Sequence, residues 1–363
     1  MMKTIFDNTT LGNMTLKNRL IRSATCEGLA DDKGHISEEF IKLYKNLAKG
    51  GIGTIITSYA CISPDDKSSY GQLGIYDDTF IEEYKKLTET VHEYNTNVIM
   101  QIVYNGSNTR ITNGQPILGP SSIKHKKTNT YSKEATKAEI NSLIQLFVDA
   151  AMRAKKSGFD GIQIHAAHGY LLNQWLKPYY NQRHDEYGGS IENRARLIIE
   201  VYNQIRLHVG NDFQVWIKLN CSDFEEDEST FEDCMYVCKK LSELKIDAIE
   251  ISGGMPIQKF INTPEKESYF KEYAEKIANE VKTPIILVGG NKSTKNINNL
   301  LNSTNIEYFS LSRTLLCEPD LPSKWKNDEN YKCKCISCNK CLTNSKNHLC
   351  VLNANKSLSK ESL

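Results

Sequence analysis

Two histidines and a tyrosine stand close together near the middle of the chain, at His165, His168 and Tyr170. Imidazole groups suit the binding of an electrophile. The isolated H-x-x-H spacing is also typical of packed core histidines or of a metal pair, and a lone tyrosine is often a packing aromatic.

A second group has the composition of a phosphate site. Its members follow apolar segments and are Gly253, Gly254, Gly289, Gly290, Ser312 and Arg313. Backbone N–H groups approach an anion closely where no Cβ intervenes, and a guanidinium offers two parallel hydrogen bonds. Gln101 and Lys218 follow other apolar segments and suit a polar heterocycle. The residues predict a phosphorylated ligand beside a bound electrophile.

Cysteine usage divides the chain into two parts. Of the 11 cysteines, those near the C-terminus include Cys335-x2-Cys338-x2-Cys341-x8-Cys350. A C-x2-C-x2-C run suits an iron–sulfur cluster, and four cysteines can also hold zinc. The same residues could be reduced thiols, so the sequence leaves a [4Fe–4S] cluster, zinc and free thiols open.

Eight segments rich in β-branched residues alternate with segments of helical periodicity. These elements must position the residues named above. The eight segments are 19–26, 52–60, 97–104, 161–168, 213–220, 248–254, 284–290 and 307–313. Eight repeats of strand and helix, with strands that are apolar on both faces, predict an α/β fold, a single (β/α)8 TIM barrel. A doubly wound sheet is the alternative, but no G-x-G-x-x-G motif opens a helix after an early strand. In a barrel, the active site lies at the C-terminal ends of the strands.

The remaining segments predict helix starts, loops and a boundary. Thr136-x-x-Glu139 and Ser229-x-x-Glu232 resemble capping boxes that open amphipathic helices. The stretch from about 105 to 135 is rich in Gly, Ser, Asn and Pro and predicts a long loop after the third strand. We divide the chain into a barrel at 1–325 and a short cysteine-rich tail at 326–363.

Composition narrows the class of partner. The 363 residues are 39% hydrophobic and carry 45 basic against 44 acidic side chains. A balanced charge gives no reason to expect a nucleic acid or a lipid surface as partner, so a small-molecule substrate is expected. No apolar run is long enough to span a bilayer, and no leader is evident. We expect a cytoplasmic protein and leave homo-oligomers open.

The long run HAAHGYLLNQWLKPYYNQRHDEYGGSIENRARL at 165–197 and the opening LKNRLIRSAT at 16–25 resemble the old yellow enzyme family of NADH:flavin oxidoreductases. The SGG, VGG and SLSRTLLCEPDLP segments follow in the family's order and spacing. The resemblance covers essentially residues 3–350. It implies non-covalent FMN with its phosphate near Gly290 and Arg313, and NAD(P)H as reductant.

The resemblance also implies roles for individual residues. His165 and His168 would bind the substrate oxygen, and Tyr170 would be the proton donor. Tyr104, where many relatives carry histidine or another polar group, would contact the substrate and leaves its class in doubt. The flavin contacts would be Thr25, Cys26, Tyr59, Gln101, Lys218, Gly254, Gly289, Gly290, Ser312 and Arg313.

Three functions are compatible with the sequence. The leading one is an FMN-dependent NAD(P)H oxidoreductase of ene-reductase type that passes hydride to an acceptor such as an α,β-unsaturated carbonyl compound. The second resembles the 2,4-dienoyl-CoA reductase branch, an iron–sulfur flavoprotein that receives electrons through the tail cysteines, although both gaps after Cys338 are shorter here than in that branch. The third is a non-redox lyase or isomerase that uses Lys218 as a base or Schiff-base residue.

Overall fold

Eight parallel strands close into a barrel in the part of the chain that the structure, a computed structural model, describes: residues 2–109, 111, 114–224, 228–254, 267–343 and 350–352. The strands, β1 to β8, are Leu20–Arg22, Thr54–Cys61, Asn97–Val103, Gly161–Ala166, Gln214–Asn220, Ala248–Ser252, Ile285–Leu287 and Tyr308–Leu311. Each pairs with the next, and β8 pairs with β1. The predicted barrel is confirmed, and its closure excludes the doubly wound sheet.

Helices cover the outside of the barrel. The helices α1 to α12 are Glu38–Lys49, Ile81–His92, Lys137–Lys156, Leu171–Leu176, Ile191–Arg194, Arg196–Val209, Phe231–Glu243, Lys271–Glu280, Thr294–Ser303, Arg313–Cys317, Leu321–Asn327 and Lys340–Thr343. Their apolar faces and the outward residues of the strands form the larger core, which includes Phe40, Tyr84 and Phe147. This packing holds the strand ends in place because a close-packed core resists small displacements.

A smaller apolar cluster fills the lower end of the barrel interior. It contains Ile21, Ile56, Ile99, Trp216, Ala248, Ile286 and Tyr308. An antiparallel hairpin of Thr9–Leu11 with Met14–Leu16 adds Leu11 and Leu16 to this cluster. Side chains alternate across a strand, so the residues two positions later also face inward, nearer the mouth. Many of those are polar, and they form the floor of the site.

Of the two predicted capping boxes, the structure contains one as predicted and the other shifted by one residue. At α3, the Thr136 side chain accepts from the Glu139 N–H and the Glu139 carboxylate accepts from the Thr136 N–H, as predicted. At α7, the prediction was wrong by one residue, because Thr230 and Asp233 form the box. The Ser229 hydroxyl instead donates to the Asp223 carboxylate, so it is not available as the cap.

The predicted long loop follows β3 and is irregular over most of its length, with residues 110, 112 and 113 outside the described part. Leu118–Gly119 and Lys133–Glu134 pair within it as two very short parallel strands. Helix α11, Leu321–Asn327, runs across the expected boundary at 325, so the division into barrel and tail stays a prediction. No described helix combines the length and the apolar character needed to cross a bilayer, and the cellular location stays a prediction.

Candidate active site

A sharp turn after β4 carries the second histidine to the barrel mouth. His168 has a φ of 59° and Gly169 a φ of 79°, both in the left-handed region. The His168 N–H donates to Asn220 Oδ1 at 3.3 Å, and Asn108 Nδ2 donates to the His168 carbonyl at 3.1 Å. A left-handed histidine persists only where its surroundings hold it, which is common at functional sites. The turn therefore fixes where the imidazole points.

The predicted catalytic residues meet at this turn. The rings of His165 and His168 are 5.1 Å apart, and those of His165 and Tyr170 are 4.9 Å apart, both edge to face. The Tyr59 ring lies 5.6 Å from that of Tyr170. His168 Nε2 and the Ser252 hydroxyl are 2.9 Å apart, which links the turn to β6. The structure thus brings the three residues together, while their catalytic roles stay predictions.

Burial keeps these groups in their neutral forms. Desolvation, with the neighbouring His168 and Lys218, holds the pKa of His165 well below its usual value. Desolvation and Lys218 lower the pKa of His168 to about 3. Desolvation and nearby Cys26 raise the pKa of Tyr170 to about 12. At neutral pH both imidazoles can therefore donate from neutral N–H groups, and the phenol retains its proton.

A chain of buried polar contacts crosses the barrel below the mouth. Gln101 Nε2 donates to Gln163 Oε1 at 2.7 Å, and Gln163 Nε2 donates to Glu250 Oε2 at 2.9 Å. The Lys218 ammonium lies 3.2 Å from that same carboxylate oxygen and 2.9 Å from the Ser23 hydroxyl, which donates to Glu250 Oε1 at 2.7 Å. Four strands and the residue that follows β1 contribute to this polar floor, defined here as Gln101, Gln163, Glu250, Lys218 and Ser23.

Sequence reasoning named Gln101 and Lys218 but missed Gln163, Glu250 and Ser23. The site predictions concentrated on the ends of the predicted strands, whereas these three residues lie earlier in the predicted segments 19–26, 161–168 and 248–254. Strand alternation was the available signal, since Ser23 and Glu250 lie two residues beyond Ile21 and Ala248 of the apolar layer. Polar residues at inward positions of apolar strands indicate a lined cavity.

A cavity opens at the barrel mouth and is called the main cavity here because several predicted site residues line it. It has a volume of about 240 Å³, and its walls include His168, Lys218, Gly289, Gly290, Ser312 and Arg313. Gly290 has a φ of 77°, and a Cβ there would lie 2.5 Å from the Tyr269 ring, so only glycine fits. The Arg313 guanidinium donates to Tyr269 Oη at 3.0 Å and to the Asn339 side chain of the tail. The predicted phosphate residues after β7 and β8 therefore share one wall with the predicted substrate and flavin residues.

Three other expected flavin contacts, Thr25, Cys26 and Tyr59, do not line this cavity. The Thr25 hydroxyl is 3.0 Å from that of Ser312. The Cys26 thiol lies 4.0 Å from Tyr59 Oη, and burial with the nearby Glu27 raises the pKa of Cys26 to about 11. At neutral pH the thiol is therefore protonated and is a poor nucleophile.

Two expected site residues are engaged elsewhere in the structure. The Gly254 N–H donates to the Ser222 carbonyl at 2.9 Å, and Gly254 does not contribute to the main cavity wall. The Tyr104 side chain is buried within the larger apolar core. A flavin contact by Gly254 and a substrate contact by Tyr104 stay predictions without geometric support.

The tail cysteines converge near Arg313. Cys335, Cys338, Cys341 and Cys350 line one small cavity with the Arg313 side chain, and Cys335 also reaches the main cavity. Burial raises the pKa values of Cys335 and Cys341, while the guanidinium opposes this shift. Burial and the Cys350 thiol raise the pKa of Cys317 to about 12, so a fifth cysteine that the sequence did not single out adjoins the group. Among the described residues, no three potential ligands form a site for one metal ion.

Comparison with known proteins decides the class of this site. The sequence profile of the NADH:flavin oxidoreductase / NADH oxidase family matches residues 4–331. The chain belongs to this family. Membership confirms the predicted resemblance and the predicted class, a flavin oxidoreductase that uses FMN and NAD(P)H.

Relatives of two lengths match the chain. NADPH dehydrogenase of Clostridium acetobutylicum is 32% identical over 315 residues, which cover 87% of this chain and 92% of the relative. NADH oxidase of Thermoanaerobacter brockii is 33% identical over 342 residues, covering 92% of this chain and 52% of the relative. This chain thus spans about half the length of that NADH oxidase.

Solved structures share the fold. A 2-naphthoyl-CoA reductase bound to 2-naphthoyl-CoA has a TM-score of 0.86 at 25% identity, covering 93% of this chain and 54% of that one. The old yellow enzyme homologue of Zymomonas mobilis has a TM-score of 0.79 at 24% identity, covering 92% and 95%. The barrel is therefore the family's fold.

The donors around the main cavity fit FMN. The hydroxyls of Ser310 and Thr314 are buried and have no hydrogen-bond partner in the described part of the chain, and both residues line this cavity. An unsatisfied buried hydroxyl costs about 1–3 kcal/mol, so a ligand with several acceptor oxygens would relieve both. With the Arg313 guanidinium and the Gly289–Gly290 backbone beside them, these groups suit the flavin phosphate.

Proposed function

We propose that this flavin oxidoreductase is an FMN-dependent NAD(P)H oxidoreductase that reduces an electron-poor acceptor such as an α,β-unsaturated carbonyl compound. Bound FMN would supply hydride transfer between the nicotinamide and the acceptor. The observation that carries the proposal is the meeting of His165, His168 and Tyr170 beside a cavity whose lining includes the phosphate donors.

The protonation state of each side chain would set its role in the proposed reaction. The neutral imidazoles of His165 and His168 would donate to the acceptor oxygen and polarise the conjugated alkene. The phenol of Tyr170 would deliver the proton to the α-carbon. Lys218 would place a positive charge beside the pyrimidine of the flavin and Gln101 an amide, while Arg313 and the Gly289–Gly290 backbone would bind the phosphate.

The alternative of a non-redox Schiff-base enzyme has less support. Lys218 is bound by Glu250 and Ser23 in the barrel interior, an arrangement that holds an ammonium rather than a nucleophilic amine. Membership of a flavin oxidoreductase family also favours a redox activity over a Schiff-base mechanism. The natural acceptor, the choice between NADH and NADPH, and self-association stay open as predictions.

Replacing Arg313 with alanine tests the cofactor site. We expect the purified chain to bind FMN and to be bleached by NAD(P)H without oxygen. Hydrogen bonds to charged groups contribute about 1.5–3 kcal/mol, so Arg313→Ala should weaken FMN binding by about 10- to 150-fold. Flavin fluorescence titration would measure this.

Arg153→Ala is the matched control, since that arginine pairs with Asp78 on the outside of the barrel. Its FMN affinity should equal that of the unaltered chain. Failure of the unaltered chain to bind added FMN would contradict the proposed function.

We also propose that the tail holds an iron–sulfur cluster. The supporting observation is that four cysteines line one cavity, with Arg313 shared between that cavity and the main one. The donor set suits the group, because four thiolates are the usual ligands of a [4Fe–4S] cluster. An arginine between the two cavities would offset the negative charge of the thiolates. Such a cluster would let a partner protein supply electrons in place of NAD(P)H.

Metal analysis of anaerobically prepared protein distinguishes the tail hypotheses. We expect about four irons per chain and a broad visible absorption beyond that of the flavin. Cys341→Ser should lose most of the iron, whereas Cys333→Ser should keep it, because Cys333 does not line the cysteine cavity. One zinc per chain, or no metal, would contradict the cluster.

A further inference from the structure

We propose that Glu250 is the positioning residue for the pyrimidine end of the flavin, fixing Lys218 directly and Gln101 through Gln163 and cancelling much of the lysine charge. The proposal rests on the proposed function, since it requires FMN in the main cavity. It adds a carboxylate that the sequence did not single out, and it assigns a structural cause to the redox behaviour of the cofactor.

Geometry places Glu250 at the centre of the polar floor. Its side chain is fully buried; it accepts hydrogen bonds from Ser23 and Gln163 and forms an ion pair with Lys218. Lys218 is opposite Glu250 in the β5–β6 register, so the two side chains emerge side by side. Burial, two hydrogen-bond donors and a cross-strand cation make this carboxylate the group on which the other polar residues converge.

The carboxylate sets the direction of the amide chain. An ionised carboxylate only accepts hydrogen bonds, so Gln163 must turn its NH2 group toward Glu250. The Gln163 oxygen is then left to accept from the Gln101 NH2 group, at 2.7 Å. The Gln101 carbonyl oxygen consequently points away from Gln163. One buried charge thus determines which atom of Gln101 a ligand meets.

The same carboxylate sets the charge near the cavity. Two donors of the Lys218 ammonium are used by Glu250 and Ser23, and the lysine side chain also lines the main cavity. An unopposed cation beside the pyrimidine would favour the reduced flavin, whose ring gains negative charge. Glu250 opposes that effect at short range in a low-dielectric interior. We therefore infer a lower midpoint potential than Lys218 alone would produce.

Glu250→Gln in the FMN-loaded chain tests the charge effect. At a fixed reference-dye potential, the ratio of reduced to oxidised flavin should rise at least tenfold, equivalent to about 30 mV for two electrons. Glu250→Asp, which keeps the charge, should restore a ratio near that of the unaltered chain. Asp247→Asn is the control, because it removes an ion-paired carboxylate at the opposite end of the barrel and should leave the ratio unchanged.

Two further variants keep the proposal testable if Glu250→Gln does not fold. The double variant Lys218→Met/Glu250→Gln removes both charges, and proteins often tolerate the loss of a whole buried ion pair. Its ratio of reduced to oxidised flavin should lie near that of the unaltered chain. Gln163→Leu leaves the ion pair and should weaken FMN binding with little change in the ratio.

The inference is overturned if Glu250→Gln binds FMN and its ratio of reduced to oxidised flavin stays within threefold of that of the unaltered chain. It is also overturned if the double variant shifts this ratio as far as the single variant Lys218→Met does. Failure of the unaltered chain to bind FMN would instead overturn the proposed function, so the two failures are distinguishable.

Discussion

Tyr170→Phe should slow reduction of an α,β-unsaturated carbonyl compound by about 10²- to 10⁴-fold, the usual contribution of a general acid. The phenol lies against His165 with its pKa raised to about 12, so it holds a proton throughout the neutral range and its replacement removes the donor without altering the ring packing. Bleaching of the flavin by NAD(P)H should be unaffected, because that step needs no proton from this residue. Stopped-flow measurements of the two half-reactions would separate these effects.

Tyr187→Phe is the matched control for the loss of a phenol. Its hydroxyl lies in the same signature segment but contacts Lys137 and Glu200, outside the cavity. Both half-reactions should stay within about threefold of the unaltered rate, as expected of a substitution remote from the reacting groups. An equal loss in the two variants, or loss of flavin bleaching in Tyr170→Phe, would contradict a proton-donor role.

His165→Asn and His168→Asn should each lower turnover of the same acceptor by about 10²- to 10³-fold, the usual cost of removing one donor to a developing oxyanion. Both imidazoles are neutral at pH 7, so each contributes a hydrogen bond and not a charge. The loss should therefore be constant between pH 5 and 8. Steady-state kinetics across that range would measure it.

An imidazole on the outside of the barrel provides the control for the histidine variants. His92 Nε2 lies 2.9 Å from the Asp160 carboxylate, and His92 does not line the main cavity. His92→Asn should leave turnover within about threefold of the unaltered rate. A pH-dependent loss in His165→Asn or His168→Asn that follows a pKa near 6.5 would contradict the neutral-donor role.

Prediction from sequence succeeded where a residue's role depends on its position along a strand. All eight strands overlap the predicted segments, because runs of β-branched residues between periodic helices leave few other arrangements. The ends of β4, β7 and β8 therefore lie where the residues alone placed them. Errors of one residue arose where local chemistry offered two equivalent choices. At α7, Ser229 and Thr230 were both plausible caps, and the contact of Ser229 with Asp223 decided between them.

The sequence by itself determined the barrel and the family, and it predicted catalytic roles for the residues around His165, since hydrophobic periodicity and a long contiguous signature are local properties of the chain. Only the tertiary structure decided the partners of those residues: Glu250 beside Lys218, Gln163 between Glu250 and Gln101, and the tail cysteines against Arg313. These contacts join strands and segments far apart in sequence. Their existence depends on the register between strands and on where the tail lies against the barrel, which no local pattern encodes.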